Sequence, residues 1–153
     1  MSLRILFVST GLSIGGAERT LQRLVIELAR RGHQLCVCSL GEGGVIAEEL
    51  AQQSVEVQTV GFQKRPSDLL KLGDLRRIVK SHQPDIVQTW MYHADLAGGL
   101  MARWFSGAPV VWGVRQSNLD SHRSKRLTRC VVAVNAWLSR WVPAHVIYCA
   151  IAA

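Results

Sequence analysis

Apolar residues along this chain fall into short runs separated by longer segments of helical spacing. The runs Arg4 to Val8, Gln34 to Leu40, Val55 to Val60, Ile86 to Thr89, Val110 to Val114 and His145 to Cys149 have strand character. The segments Ala17 to Arg31, Val45 to Gln53, Pro66 to His82, Ala94 to Phe105 and Ser124 to Trp141 predict helices. In the first of these, Ala17, Leu21, Leu24, Val25 and Leu28 recur on one face, and Gly32 stands just past the end, where a left-handed residue can cap it. Pro84, Pro109 and Pro143 each precede a strand, where a helix must already have stopped. Such alternation predicts an α/β fold: a doubly wound, mainly parallel Rossmann-like sheet of about six strands flanked by helices, with right-handed crossovers.

At 153 residues and 48% hydrophobic content, the expectation is a single domain over residues 1–153. No internal repeat, low-complexity stretch or linker interrupts it. No apolar run reaches the ~18 residues needed to cross a bilayer, and Met1-Ser2-Leu3-Arg4 leads into a strand without a small-residue cleavage site, so a cytoplasmic protein is expected. Cys36 and Cys38 stand two apart on one strand and share a face, which rules out a C-x-x-C hairpin. With Cys130 and Cys149 they read as small core residues.

The formal charge of +7 asks for a partner or a solvated surface. Basic residues gather at Arg30-Arg31, Lys64-Arg65, Arg76-Arg77 with Lys80, and most densely from His122 to Arg129. Trp137, Leu138 and Trp141 follow the densest cluster, a combination that suits an anionic bilayer surface as well as an ordinary solvated helix face. Nucleic acid is not expected, because the cations are scattered and no recognition motif accompanies them.

Candidate chemistry begins at Ser13-Ile14-Gly15-Gly16-Ala17-Glu18-Arg19, between the first strand and the first helix. Backbone without Cβ at Gly15 and Gly16 lets a ligand approach, and the free N–H groups of the helix start suit an anion such as phosphate. A tight turn that needs glycine for geometry alone is the other reading. Neither standard nucleotide loop fits. Gly11 is followed by Leu12 and Ser13, which breaks G-x-G-x-x-G, and Gly16 is followed by Ala17 and Glu18, where a phosphate loop requires Lys and Ser or Thr.

The order Gly15 to Arg19, then Arg31-Gly32-His33, then a second strand resembles the opening of bacterial glycosyltransferase family 4 proteins. The resemblance continues through Pro84 to Trp90, Tyr92 to Asp95 and Pro109 to Arg115, and so covers essentially the whole chain. It implies one half of a GT-B fold: the N-terminal, acceptor-side domain, facing across a cleft a C-terminal donor-binding domain that is expected to lie outside this chain. It also implies a nucleotide-sugar donor as co-substrate, retention of anomeric configuration, and no metal or other cofactor.

Ligands of an open α/β sheet bind beyond the carboxyl ends of the strands. The loop after the fourth strand holds His93, whose neutral imidazole could accept a proton from a sugar hydroxyl, or could simply make a backbone contact at the helix entry. The resemblance favours a functional histidine in this loop, although many relatives carry theirs nearer the place of Trp90. After the fifth strand, Arg115 stands near the place where many relatives have a threonine-histidine pair, and its planar fork would suit a diphosphate-linked acceptor or, alternatively, a surface ion pair. Asp95 and Asp120 are expected to be helix N-caps.

The resulting expectation is the N-terminal domain of a glycosyltransferase acting in cell-surface polysaccharide or glycolipid assembly, inactive in isolation, with lipid-linked or sugar acceptors, peripheral membrane contact and a homodimer as further expectations. Two other classes stay open: a non-enzymatic domain that binds an acceptor or partner without transfer, and a small Rossmann-like nucleotide-binding protein.

Overall fold

A computed structural model of the protein describes residues 1–63, 68, 70–114 and 126–148, with side chains from 128 onward in the last segment. In chain order the elements are β1 (Arg4–Ser9), α1 (Gly16–Arg30), β2 (Gln34–Ser39), α2 (Val45–Gln52), β3 (Glu56–Thr59), α3 (Leu72–His82), β4 (Ile86–Trp90), α4 (Tyr92–Phe105), β5 (Val110–Val114), α5 (Arg126–Leu138) and β6 (His145–Tyr148). All strands pair in parallel in the order β3-β2-β1-β4-β5-β6, so the sheet reverses its winding between β1 and β4. The doubly wound Rossmann-like sheet expected from the sequence is therefore present.

Alternation along β1 divides the core. Leu6 and Val8 face a cluster with Cys36, Cys38, Leu75, Val79 and Trp112, beneath α3 and α4. Ile5 and Phe7 face the opposite cluster of Leu21, Val25, Val37, Ile46 and Leu50, beneath α1 and α2. Central strands buried on both faces need the continuous apolar runs that the sequence carries.

Helix ends follow local chemistry. α1 closes where His33 N–H donates to Leu28 O and Gly32 N–H to Ala29 O, with Gly32 at φ +83°, the left-handed cap its position suggested. α3 begins at Leu72, where Lys71 N–H donates to Asp68 O and the Asp68 carboxylate accepts from Gln63 N–H; Pro66, its expected start, lies outside the described residues. α4 begins at Tyr92, two residues early, because Met91 turns the chain at φ +77°. α4 then lies close on the sheet: a Cβ at Gly98 would come within 2.8 Å of Val8 Cγ1, and one at Gly99 within 2.7 Å of Trp112 Nε1.

Two expectations fail. Asp95 is no N-cap: it lies inside the first turn of α4, almost wholly buried, because the helix starts at Tyr92. Cys130 is exposed, since α5 turns Val131 and Asn135 inward and leaves Cys130, Val134 and Trp137 outside. Cys36 and Cys38 are buried on one face as expected, while Cys149 and Asp120 lie outside the described residues.

Candidate functional site at the winding reversal

The glycine loop follows β1 and the histidine loop follows β4, and these two strands are neighbours. The sheet thus brings both predicted loops to one crevice, the place where open α/β sheets take ligands. A direct bond ties the two sides together: the buried Trp90 indole N–H donates to Ala17 O in the first turn of α1 at 3.0 Å. Trp90 is therefore a strut for the glycine loop.

Gly15 is the N-cap of α1, with extended backbone and no capping side chain. First-turn N–H groups without a side-chain acceptor are left for another partner. A Cβ at Gly15 would collide with the Glu18 carboxylate, which folds back from the third helical position as in a capping box. The anion nearest this helix start is therefore the chain's own, carried on a flexible side chain. Gly16 differs: a Cβ there would meet nothing within 4 Å, and its φ is not positive. Neither packing nor backbone conformation requires glycine at position 16.

The rest of the loop is held from the β2 side. Ile46 N–H donates to Leu12 O at 3.1 Å and Gly41 N–H to Thr10 O at 3.1 Å, while Ser9 Oγ–H donates to Gly11 O. Gly44 permits this approach, since a Cβ there would stand 2.8 Å from Leu12 O. Farther along α1, Arg19 and Gln22 both donate to Glu49 on α2, at 2.5 and 2.6 Å; the Gln22 and then the Arg19 hydrogen bonds hold the Glu49 carboxyl below its ordinary range. Arg19 thus braces α1 against α2.

On the β4 side, Met91 has φ +77° and ψ 156°, a region that side-chain-bearing residues rarely occupy. Such strain is concentrated at functional turns, and here it aims α4 and places His93, half-buried, in its first turn. Asp95 N–H donates to Met91 O at 2.9 Å, and the Asp95 carboxyl lies 2.5 Å from Thr89 Oγ1. Burial pushes Asp95 up to about 7, against the lowering effect of Thr89. Asn135 on α5 donates to Tyr92 O at 2.8 Å and fixes the same turn from outside.

Of the predicted site residues, Gly15 and Gly16 follow β1 and His93 follows β4, so they stand at the carboxyl ends of neighbouring strands; Arg115, directly after β5, lies outside the described residues. Sequence reasoning missed Thr10, Met91 and Asp95. Thr10 Oγ1 is buried in the glycine loop without a hydrogen-bond partner among the described residues. Nothing in one sequence marks a positive φ at methionine or the burial of a first-turn aspartate.

Residues 14–151 match the family model described as Glycosyltransferase Family 4. The chain belongs to that family. Among solved structures, Anabaena HepE in complex with UDP and glucose superposes with a TM-score of 0.72 at 20% identity, over 94% of this chain and 37% of that one. A glycosyltransferase from Rickettsia africae gives 0.58 at 23% identity, over 74% and 30%, and the lipopolysaccharide outer core galactosyltransferase WaaB gives 0.56 at 18%, over 84% and 36%. The family 4 chain therefore shares the Rossmann-like architecture of GT-B glycosyltransferases and spans 30 to 37% of the length of these structures. No curated protein matches it by sequence. Among the described residues no helix is long and apolar enough to cross a membrane.

Proposed function

We propose that this chain is the acceptor-side half of a retaining sugar transferase, which moves a sugar from a nucleoside diphosphate to an acceptor hydroxyl in cell-surface polysaccharide or glycolipid assembly. The observation that carries the reading is the meeting, at the β1/β4 reversal of a family 4 chain, of a helix start whose N-cap residue, Gly15, has no side chain with the turn that holds His93. In the reaction the bond between the anomeric carbon and the diphosphate breaks, a bond to the acceptor oxygen forms, and the hydroxyl proton leaves to a base. Gly15 and Gly16 give the donor phosphates room beside the α1 N-terminus, with Glu18 swinging aside. His93 accepts or orients the acceptor proton, and Arg115 grips a phosphate of a diphosphate-linked acceptor. No metal is required. HepE has been crystallised with UDP-glucose, which supports a UDP-type donor, and the name of WaaB supports a glycolipid acceptor.

The donor-binding half belongs to chain outside residues 1–153. On their own these residues bind an acceptor without transfer, a reading favoured by the 37% coverage. Exposed Trp137 and Trp141, in edge contact at 4.8 Å with Arg140 between them in sequence, support contact with an anionic bilayer or with a second copy.

The experiment is Gly16→Val in the enzyme with both halves present. Valine at a first-turn position costs under about 1 kcal/mol, and nothing stands where its Cβ would go, so the thermal midpoint should move by no more than roughly 4 °C. Its methyls enter the phosphate path, and kcat/KM should fall at least about tenfold. Normal kinetics would remove the phosphate role from this loop; a joint fall of activity and midpoint would make the glycine a turn requirement only.

A further inference from the structure

At the opposite, amino-terminal edge of the sheet, Cys36 on β2 pairs in register with Glu56, the first residue of the edge strand β3. His82, the last residue of α3, closes over them. One donor atom from each lies within 4.8 Å of the other two, with His82 Nδ1 at 4.0 Å from Glu56 Oε2. We propose that Cys36, Glu56 and His82 form a binding site for a thiophilic divalent cation of the zinc type, which staples the edge strand and α3 to β2.

The donor set fits that ion. Zinc takes thiolate, imidazole and carboxylate together, with bonds of about 2.0 to 2.3 Å that place tetrahedral donors roughly 3.3 to 3.8 Å apart. Glu56 can close the difference, because its side chain is 54% exposed on an edge strand, whereas His82 is 11% exposed and Cys36 fully buried. Burial holds the His82 ring toward its neutral form, opposed by the nearby Glu56 charge, and a neutral ring is the form that coordinates. Its Nε2 is buried with no hydrogen-bond partner among the described residues, while the Ile5 backbone acts on the ring in the direction of the charged form. Burial and then Glu56 push the Cys36 thiol up, so the ion must displace a proton to bind. A groove of about 310 Å³ is lined by Glu56, Thr59, Ser81 and His82 among others, so two of the three donor residues border open space while Cys36 lies buried. The site stands apart from the transfer crevice and is structural in kind.

Cobalt(II), which replaces zinc and absorbs light, tests this on the chain as it is. One equivalent should produce thiolate-to-cobalt charge-transfer absorption, and zinc should raise the thermal midpoint. Cys36→Ser and His82→Gln should weaken cobalt binding at least tenfold, whereas Cys38→Ser and Cys130→Ser should keep it. Glu56→Gln, on the exposed edge, should weaken binding while preserving the metal-free fold, and so remains informative if Cys36→Ser fails to fold. Absence of a stoichiometric band in the native chain, or a band that survives His82→Gln and Glu56→Gln, would overturn the site.

Discussion

Asp95 and Thr89 share a short hydrogen bond beneath the turn that carries His93, and almost no solvent reaches the carboxyl. The unfolded chain releases this proton near 3.8 and the folded chain near 7, so between those values the folded state holds a proton that the unfolded state has lost. Raising the pH through that interval therefore costs stability, at most about 4 kcal/mol, and the stability contribution of the protonated group is complete only below 3.8. Asp95→Asn should remove this slope: urea midpoints of the native chain should fall from pH 4 to pH 7 more steeply than those of the variant. Parallel curves would show that Asp95 ionises freely where it stands. The sequence offered Asp95 as a cap because a carboxylate before apolar helical spacing usually is one. The left-handed turn at Met91 moved the helix start, and with it the role, and such a φ at a methionine leaves no trace in composition or periodicity.

Among the elements, strands were readable almost to the residue: the central ones, buried on both faces, must be apolar runs bounded by turn residues, and the exposed edge strands β3 and β6 carry β-branched residues. Helices were less so. α5 carries more apolar residues than one face can bury, and it is polar Asn135 that turns inward, to the Tyr92 carbonyl, while Trp137 stays outside. α3 begins at Leu72, and its expected start at Pro66 lies outside the described residues. α4 shows why two adjacent glycines stand in mid-helix, a cost that propensity alone would disfavour. Gly98 lets the helix settle against Val8 and Thr89, so Gly98→Ala should destabilise the chain by about 1 to 3 kcal/mol through overpacking, read as a lower urea midpoint. An unchanged midpoint would mean that α4 can lift from the sheet without loss. The contrast with Gly16, whose Cβ position is open, separates a glycine needed for packing from one that packing does not explain.

At the scale of the molecule, the sheet order decides which of the sequence motifs meet. The glycine loop and His93 are some 75 residues apart in the chain, and pairing of β1 with β4 places them at one crevice. The candidate site was legible in its loops through their glycines and histidine. Its supports were not, because the Trp90 indole on Ala17 and the burial of the Thr10 hydroxyl depend on contacts between distant residues, as does the separate cluster of Cys36, Glu56 and His82. In the proposed function a donor-binding domain supplies the other half of the cleft, and the donor should draw most of its contacts from there. Calorimetric titration of residues 1–153 with UDP- and GDP-sugars tests that division most directly. The isolated chain should show no transfer and no binding approaching micromolar, while the same chain joined to its donor-binding half should bind. A dissociation constant near micromolar for residues 1–153 alone, about −8 kcal/mol, would contradict it and make this domain a self-sufficient nucleotide-sugar binder.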